Sequence, residues 1–503
     1  MPSPPVFLGL DVSTTATKAL VLDETGAQRA VASSPYGLET PRPLWAEQDP
    51  EQWWRAAQGS IREALKRAGA RAEDVLGVGL TGQMHGLVLL GEADEVLRPA
   101  ILWNDQRSAR ECGSIRRRAG GLEALVRITG NDAFPGFTAP KILWVREHEP
   151  EIYRRIRRVL LPKDFVRLRL TGAAASDRAG AGGTLLLDLE TRDWSGELLQ
   201  ALDIPRRWLP ATHEGTAQTG EVSARAASLT GLRAGTPVFA GGGDQAAQAV
   251  GVGVVNPGAT AALTLGTSGV VFAACDRPVT EPEGRLHAFP HALAERWHVM
   301  GVMLSAAGSL RWYRDAVAPE VPFESLMEEA ASAPVGCEGL VFSPYLSGER
   351  TPHADPDARG AFVGLTLRHG RGHLTRSVLE GVSFGLRDNL ALVASAGLQK
   401  IEEVRISGGG ARSPLWRQML ADVLGVRLVP VESEEGAALG AALLAGAGAG
   451  RFESVAAGCE RAVRLAEPVE PDVARRAAYD ELYREFRRHY PALRELSGGQ
   501  NAS

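Results

Sequence analysis

Two stretches of the chain, one at its start and one near its middle, share a pattern that restricts the fold more than any other feature. In the first stretch, apolar runs at residues 6–10 and 19–22 flank a polar segment. In the second, apolar runs at residues 261–265 and 270–274 flank the segment Gly-Thr-Ser-Gly. Each pattern predicts two buried strands joined by a tight turn of small polar residues. The chain is therefore predicted to contain two related, β-rich halves.

The length of 503 residues also favours two domains, because a single hydrophobic core rarely grows beyond about 250–300 residues. Strand-like runs alternate with helical patterns, including a helix that begins after Asp49 with Pro50 in its first turn. Further helices are predicted at residues 416–424, 435–445 and 471–489. We predict an α/β fold with domains at residues 1–248 and 249–503.

Composition and charge argue against several functional classes. The net charge is −5 and no basic stripe is present, so a nucleic-acid-binding protein is not expected. The arginines at residues 116–118 and 154–158 are interpreted as solvated helix faces. The four cysteines form no Cys-x-x-Cys pair, which argues against a disulfide framework and a zinc site. No apolar run reaches the roughly 18 residues of a membrane helix. We expect a soluble cytoplasmic protein without nucleic-acid or membrane partners.

The first predicted turn contains residue types that can hold a metal-bound phosphate. Asp11 lies at the end of the first strand, and Ser13, Thr14 and Thr15 follow in the turn. Small residues let backbone amides approach phosphate oxygens, and a carboxylate can bind Mg²⁺. Lys18 adds a positive charge. Taken alone, the same residues are equally typical of an ordinary hairpin turn.

Two more turns of small residues lie in the second half of the chain. One contains Gly266, Thr267 and Ser268, and the other contains Gly408, Gly409 and Gly410. Neither has the Walker pattern or the dinucleotide pattern GxGxxG. Glycines after a strand let a phosphate or a flat ligand come close to the backbone. A purely structural turn remains the alternative for each.

Polar and aromatic side chains suited to a sugar follow other predicted strands. Asp244 comes after three glycines and is followed directly by Gln245. A carboxylate in this position can orient a hydroxyl group and take its proton, or it can cap the following helix. Sugar binding needs directional hydrogen bonds and an apolar surface. Candidates for these contacts are Gln83, His85, Trp103, Asn104 and Asp105.

Longer motifs add a family resemblance. Residues 136–148 and residues 360–380 resemble the two signatures of the FGGY carbohydrate kinase family. Residues 44–50, 82–86, 101–105 and 346–353 are similar to the branch of that family that phosphorylates D-xylulose. The resemblance extends from about residue 8 to about residue 446. It implies two ribonuclease-H-like domains, as in the actin-like ATPases, with ATP and sugar in the cleft between them.

The resemblance also implies roles for individual residues. Asp244 matches the catalytic base, and Asp11 matches the carboxylate that assists Mg-ATP, so both are candidate Mg²⁺ ligands. Met84 and His85 match the sugar-contacting pair, with Trp103, Asn104 and Gln245 around the sugar. Positions that match the nucleotide side are Thr267, Gly408, Gly409 and Gly410.

The expected reaction is therefore the transfer of a phosphoryl group from ATP to D-xylulose. In this expectation, residues 1–248 bind the sugar and residues 249–503 bind the nucleotide. The alternatives are a kinase for ribulose, glycerol or a similar polyol, and a non-catalytic ATP-dependent clamp. A homodimer is left open as the assembly.

Overall fold

The structure is a computed structural model that describes residues 4–498. The strands of the first half are β1 (Val6–Val12), β2 (Ala16–Asp23), β3 (Gln28–Pro35), β4 (Glu47–Gln48), β5 (Val75–Gly82), β6 (Val88–Leu90), β7 (Ala100–Ile101), β8 (Arg158–Leu160), β9 (Ala175–Asp177), β10 (Leu187–Asp188), β11 (Asp193–Trp194), β12 (Ala211–His213), β13 (Gln218–Glu221) and β14 (Pro237–Gly243). Those of the second half are β15 (Thr260–Leu265), β16 (Gly269–Cys275), β17 (His287–Pro290), β18 (Trp297–Met303), β19 (Val341–Ser343), β20 (Ala361–Val363), β21 (Glu403–Ser407) and β22 (Arg427–Pro430).

The α-helices lie mostly between these strands. They are α1 (Pro50–Ala68), α2 (Ala109–Arg118), α3 (Leu122–Thr129), α4 (Thr138–His148), α5 (Pro150–Arg155), α6 (Pro162–Thr171), α7 (Arg178–Gly182), α8 (Gly196–Leu202), α9 (Ala224–Thr230), α10 (Asp244–Gly251), α11 (Ala307–Val317), α12 (Phe323–Ser332), α13 (Arg371–Ser395), α14 (Pro414–Leu424), α15 (Gly436–Gly448), α16 (Val455–Ala462) and α17 (Val473–Gly498). The helices predicted at residues 416–424, 435–445 and 471–489 are confirmed as α14, α15 and α17.

Two six-stranded mixed sheets organise the molecule, and they repeat one topology. The first sheet has the strand order β13-β14-β5-β1-β2-β3, and the second has the order β17-β18-β16-β15-β21-β22. In the first, β1 is antiparallel to β2 and parallel to β5, and β5 is parallel to β14. In the second, β15 is antiparallel to β16 and parallel to β21, and β21 is parallel to β22. The predicted duplication is confirmed, and the architecture is that of the actin-like ATPases.

The central strands have mostly apolar sequences because they are buried on both faces of the sheet. Every residue of β1 is buried, because this strand lies inside the sheet and is covered on both faces. The edge strand β3 contains mostly exposed or half-buried residues. The predicted hairpins at both positions are confirmed, with strands slightly longer than the apolar runs.

Helix α1 covers the first sheet and begins as predicted. The Asp49 side chain accepts a hydrogen bond from the amide of Glu51 at 3.0 Å, and Pro50 occupies the first turn. Gly69 ends the helix in the left-handed conformation with φ 64°. Trp53 is fully buried beneath the helix, and its indole N–H donates to the Gln48 side chain at 2.9 Å. Through Gln48, the helix is connected to the first hairpin turn.

Helices α10 and α15 pack against each other, and α15 also covers the first sheet although it belongs to the second half of the chain. A methyl group at Gly9 would lie 1.9 Å from the carbonyl oxygen of Ala438, and one at Gly440 would lie 1.9 Å from that of Ala247. Only glycine permits contacts this close. The two halves therefore meet backbone to backbone, with few intervening side chains.

Candidate active site

Three parallel strands of the first sheet end at one edge. Val12 of β1 pairs with Gly82 of β5, which in turn pairs with Gly243 of β14. The segments that follow these strands therefore start side by side. This edge brings together the first hairpin turn, the loop that contains His85, and Asp244.

Asp11 and Asp244 form a pair of electrostatically coupled carboxyl groups at this edge. The pKa of Asp11 is raised to about 7, first by burial and second by the charge of Asp244, while Lys18 acts in the opposite direction. Burial also raises the pKa of Asp244 to about 6, against the effect of a hydrogen bond from the Gln245 amide at 2.8 Å. Two such groups resist ionising together unless a cation lies between them.

Asp11 also has an oxygen atom available for a ligand. Its Oδ1 is buried and has no hydrogen-bond partner within residues 4–498. Asp244 is the first residue of α10, and Gly243 is the helix cap, so the alternative role of Asp244 as a cap is not seen. The pair therefore offers carboxylate oxygens to a metal or a hydroxyl group.

The first hairpin turn presents backbone amides. The Ser13 hydroxyl donates to the carbonyl of Ala16 at 2.8 Å, and the Tyr36 hydroxyl donates to the carbonyl of Ser13 at 2.5 Å. The amides of Thr14 and Thr15 donate to no acceptor in the described part of the chain. Fixed backbone with free N–H groups is typical of anion-binding turns.

His85 lies in the loop after β5 and is tightly constrained. Its backbone is left-handed, with φ 70°, and its ring packs edge-on against Phe137 at 4.8 Å. Its Nδ1 lies 2.6 Å from the carbonyl oxygen of Gly183, which can only accept, so Nδ1 carries the hydrogen. Burial lowers the pKa of His85 to about 3. At neutral pH the ring is therefore uncharged, and Nε2 is a hydrogen-bond acceptor.

Met84 and Trp103 supply apolar surface beside this histidine. Met84 is buried and packs so closely that a methyl group at Gly243 would lie 2.9 Å from its sulfur. Trp103 is 37% exposed, and its indole N–H donates to the Thr14 hydroxyl at 3.0 Å. The tryptophan thus joins the candidate sugar region to the first hairpin turn. Asn104, next in the chain, has a buried Oδ1 without a partner among residues 4–498.

Three of the predicted site residues are engaged elsewhere. Asp105 is fully buried, and its oxygens accept from the Ala46 amide at 2.6 Å and from the Arg107 guanidinium at 2.7 Å. Gln83 is also buried, and its amide lies 3.4 Å from the Ser13 carbonyl and 3.3 Å from the Gln48 side chain. In this structure both side chains are hydrogen-bonded to protein groups, and their predicted contact with a sugar stays a prediction.

Lys18 is the third. Its Nζ lies 2.6 Å from a carboxylate oxygen of Glu435, at the start of α15. This ion pair joins the two halves, and the predicted contact of Lys18 with a phosphate stays a prediction. Both side chains are partly exposed, so the pair is accessible to solvent.

The second sheet contributes the matching edge. Thr267 is exposed at the turn between β15 and β16, and the amides of Thr267 and Ser268 donate to no acceptor in the described chain. The turn of Gly408, Gly409 and Gly410 follows the neighbouring strand β21. Gly408 has φ 94°, and a methyl group there would lie 2.6 Å from the carbonyl oxygen of Leu265. Backbone amides and glycines thus line this edge.

A hydrogen bond brings the two edges together. Gln248 lies four residues after Asp244 on α10, which is about one helical turn or 5.4 Å. Its amide donates to the Ser407 hydroxyl at 3.0 Å, directly before the glycine turn. The two strand edges that would flank the predicted cleft are therefore linked through α10, which begins with Asp244.

Comparison with protein families decides the class to which this cleft belongs. Residues 6–251 match the N-terminal domain of the FGGY family of carbohydrate kinases, and residues 261–449 match its C-terminal domain. The chain belongs to the FGGY family of carbohydrate kinases. As an FGGY kinase, it is an enzyme that phosphorylates a sugar with ATP.

Individual relatives resemble this FGGY kinase over almost their whole length. It is 46% identical to the xylulose kinase of Escherichia coli K12, with 98% of this chain and 100% of the relative covered. A crystal structure of a xyloylose kinase from Brucella ovis has a TM-score of 0.90 and 42% identity, with 98% and 100% covered. A gluconate kinase from Lactobacillus acidophilus has a TM-score of 0.93 and 28% identity, with 99% and 100% covered. The fold is thus shared by kinases that are named for different substrates.

A separate cavity of about 540 Å³ on this FGGY kinase shares no residue with either edge. Arg118 and Arg146 line it, in the last turns of α2 and α4. Arg118 pairs with Asp203 at 2.7 Å, and Arg146 donates to the carbonyl of Leu202 at 2.8 Å. Because positive charge offsets the dipole at a helix C-terminus, these arginines have a structural explanation.

No helix among residues 4–498 is long and apolar enough to span a bilayer.

Several residues that shape the cleft of this FGGY kinase have no predicted role. Gly183 fixes the tautomer of His85, and Glu435 pairs with Lys18. Lys141 lies inside the first family motif and contacts the His85 carbonyl. Arg350, from the second half, lies 3.4 Å from His287 and over the ring of Phe134. Lys141 and Arg350 each had a sequence signal, because they lie inside the motifs at residues 136–148 and 346–353, but the motifs gave no contact for either residue.

Proposed function

We propose that the protein transfers the γ-phosphoryl group of ATP to the terminal O5 hydroxyl of D-xylulose, giving D-xylulose 5-phosphate and ADP. The observation that carries this proposal is the buried carboxyl pair Asp11 and Asp244, together with the hydrogen bond that joins the helix of Asp244 to the strand end before the glycine turn. The relatives called xylulose kinases, which match nearly the whole chain, support the choice of sugar.

Asp244 is the proposed catalytic base. With a pKa of about 6, the Asp244 carboxyl group is mostly ionised at neutral pH. Its pKa is also close enough to neutral pH for the carboxylate to accept a proton from the attacking hydroxyl. In phosphoryl transfer, a carboxylate of this kind orients the hydroxyl and takes its proton. The proposed base thus has a pKa suited to its task.

Mg²⁺ is the proposed metal, held by Asp11 and Asp244. The buried Oδ1 of Asp11, which lacks a protein partner within residues 4–498, fits this role, as does the electrostatic coupling of the two carboxyl groups. When bound, the cation would offset the charge of the ATP phosphates. The free amides of Thr14 and Thr15, and of Thr267 and Ser268, would bind the phosphate oxygens.

The adenosine is assigned to the turn of Gly408, Gly409 and Gly410, where the absence of side chains leaves the backbone open to a flat ligand. In this proposal, residues 1–248 form the sugar-binding domain and residues 249–503 the nucleotide-binding domain. The protein would act in the cytoplasm; its four cysteines are buried and unpaired, as a reducing compartment requires. A homodimer is the proposed assembly, to be tested by light scattering.

The sugar is assigned to the first-half side of the cleft. Nε2 of His85 would accept a hydrogen bond from a sugar hydroxyl, and the partly exposed ring of Trp103 would cover an apolar face of the sugar. Asn104 and Gln245 would supply further hydrogen bonds. Met84, next to His85 in the chain, packs against Gly243, which directly precedes Asp244, so the proposal brings the terminal hydroxyl within reach of the base and the phosphate.

The first experiment measures ADP release with Mg-ATP and each of D-xylulose, L-xylulose, D-ribulose, L-ribulose, glycerol and D-gluconate. We expect the highest kcat/KM with D-xylulose. We expect Asp244→Asn to lower kcat by about 10²-fold or more, and the surface variant Asp315→Asn to leave it unchanged. A higher kcat/KM with another sugar of the panel would identify that sugar, in place of D-xylulose, as the substrate. No sugar-stimulated turnover at all would favour the non-catalytic clamp.

A further inference from the structure

Lys141 is a cation buried without a carboxylate partner. Its side chain on α4 is fully buried, and it forms no ion pair within the described part of the chain. Burial lowers its pKa to about 7, and only the more distant charge of Asp105 acts in the other direction. Burying an ammonium group in this way is costly, so its contacts must compensate for the lost water.

Those contacts are two backbone carbonyl groups at the candidate sugar site. The Nζ atom donates to the carbonyl oxygen of His85 at 3.1 Å and to that of Gly136 at 2.8 Å. The Thr138 hydroxyl donates to the same His85 carbonyl at 2.9 Å. An amine donates hydrogen bonds in either protonation state, so these contacts persist across the physiological pH range.

One carbonyl belongs to His85 itself, and the other belongs to a turn that packs against the backbone of Trp103. His85 has φ 70°, a conformation that non-glycine residues rarely adopt unless their surroundings fix it. Gly136 packs so closely under Trp103 that a methyl group would lie 2.5 Å from the Trp103 carbonyl oxygen. Lys141 therefore ties the loop of His85 to the turn that supports Trp103.

We propose that Lys141 is a positioning residue for sugar binding, which holds the imidazole of His85 and the indole of Trp103 at the spacing that one sugar molecule requires. The inference rests on the proposed function, because it takes the sugar as the ligand of these side chains. In this role Lys141 itself touches neither the sugar nor the phosphates, because its ammonium group is directed to two backbone carbonyls. Its loss should weaken sugar binding much more than ATP binding.

The test uses Lys141→Met, which keeps the length of the side chain and removes its donors. We expect the KM for D-xylulose to rise by about tenfold or more, with the KM for ATP within about twofold of the wild type. We also expect the rise in Tm caused by D-xylulose to shrink. The control is Arg376→Met, which removes another buried cation that donates to backbone carbonyls, those of Ala330 and Ala333. It should lower Tm without changing the KM for the sugar.

The outcomes separate this inference from the proposed function. If D-xylulose neither raises the Tm of the wild type nor stimulates its turnover, the substrate assignment fails, and the best sugar of the panel replaces D-xylulose in the test. If the KM for the sugar is unchanged in Lys141→Met, or rises in parallel with the KM for ATP, the positioning role is wrong.

A second variant keeps the test decisive if Lys141→Met does not fold. Thr138→Val removes one hydrogen bond to the same carbonyl, and Thr230→Val removes a buried hydroxyl–carbonyl bond of similar length on α9. Only Thr138→Val should raise the KM for the sugar, by about threefold or more. Equal KM values in the two variants would overturn the proposal.

Discussion

Glu349 is the clearest case in which one residue makes stability depend on pH. Its side chain is buried, accepts hydrogen bonds from the amides of Leu304 at 2.9 Å and Arg350 at 2.8 Å, and forms no ion pair within residues 4–498. Burial raises its pKa from 4.5 to about 8, against the effect of those amides and of the Arg350 charge. The folded protein therefore keeps a proton that the unfolded chain releases.

The direction of the pH effect follows from this proton. Between pH 4.5 and about pH 8 the folded state binds more protons at Glu349, so the free energy of unfolding falls as pH rises, by at most about 1.4 kcal/mol per pH unit. Glu349→Gln should make the fall between pH 5.5 and pH 8 smaller by about 1 kcal/mol or more in urea denaturation. Glu338→Gln, at an exposed carboxylate paired with Arg368, should retain the wild-type slope. Identical slopes in all three proteins would contradict the prediction.

At this scale the sequence located the site better than it described the contacts. Positions such as Asp11 and Asp244 follow from local pattern, because a polar residue after a buried strand lies at the end of the sheet. The contacts of Lys18 and Asp105 depend on partners that local pattern does not identify. Glu435 is 417 residues from Lys18, and the Ala46 amide that donates to Asp105 is 59 residues from it. Such partners become visible only once the chain is folded.

The start of α15 contacts the first hairpin through the ion pair of Glu435 and Lys18. Lys18 lies opposite Asp11 in the hairpin, and Glu435 holds its ammonium group at 2.6 Å. Because the pair is partly exposed, its net contribution is expected to be small, about 0–1 kcal/mol. An ATP phosphate would compete with Glu435 for the same ammonium group.

Glu435→Gln should therefore improve ATP binding by releasing Lys18. We expect the KM for ATP to fall by about two- to fivefold, while the KM for D-xylulose stays unchanged. The control is Glu434→Gln, which removes a neighbouring charge paired with Arg412 on the surface. Steady-state kinetics at low and high salt would measure the effect, which should shrink at high salt. A higher KM for ATP in Glu435→Gln would show that Glu435 itself assists binding.

The contact between α10 and α15 depends on Gly440. A methyl group there would lie 1.9 Å from the carbonyl oxygen of Ala247, so Gly440→Ala should force the helices apart. We expect it to lower the free energy of unfolding by about 1–3 kcal/mol, despite the better helix propensity of alanine. Gly113→Ala on α2, where the nearest neighbour is the end of the Arg117 side chain at 3.5 Å, should be neutral or stabilising. Equal stability of the two variants would refute the tight contact.

At the scale of the whole molecule, we expect the two halves to close over the substrates. Water competes with the sugar for the phosphoryl group, so the site has to exclude it during transfer. The backbone contact of α10 with α15 offers little side-chain interlocking against such a movement. Small-angle X-ray scattering should show a smaller radius of gyration with D-xylulose and a non-hydrolysable ATP analogue together than with neither. An unchanged radius, with both ligands shown to be bound, would contradict closure.

The repeated hairpin pattern was sufficient to predict two related halves, because each hairpin is a local feature of about 15 residues. It could not predict that α15, from the second half, covers the first sheet. That contact joins Gly9 to Ala438 and depends on the assembled molecule. Local pattern therefore identified the repeated unit, and long-range packing determined how the two units share their helices.

The position of α15 has a consequence for how the protein is made. On the ribosome, the first sheet is complete when β14 and α10 emerge, but its covering helix ends at Gly448. At a translation rate of about 5–20 residues per second, the apolar face of the first sheet that α15 covers stays exposed for roughly 10–40 s. During this interval the nascent chain exposes an apolar surface that can associate with other proteins. We therefore expect the newly made first half to depend on chaperones until the last third of the chain has been translated.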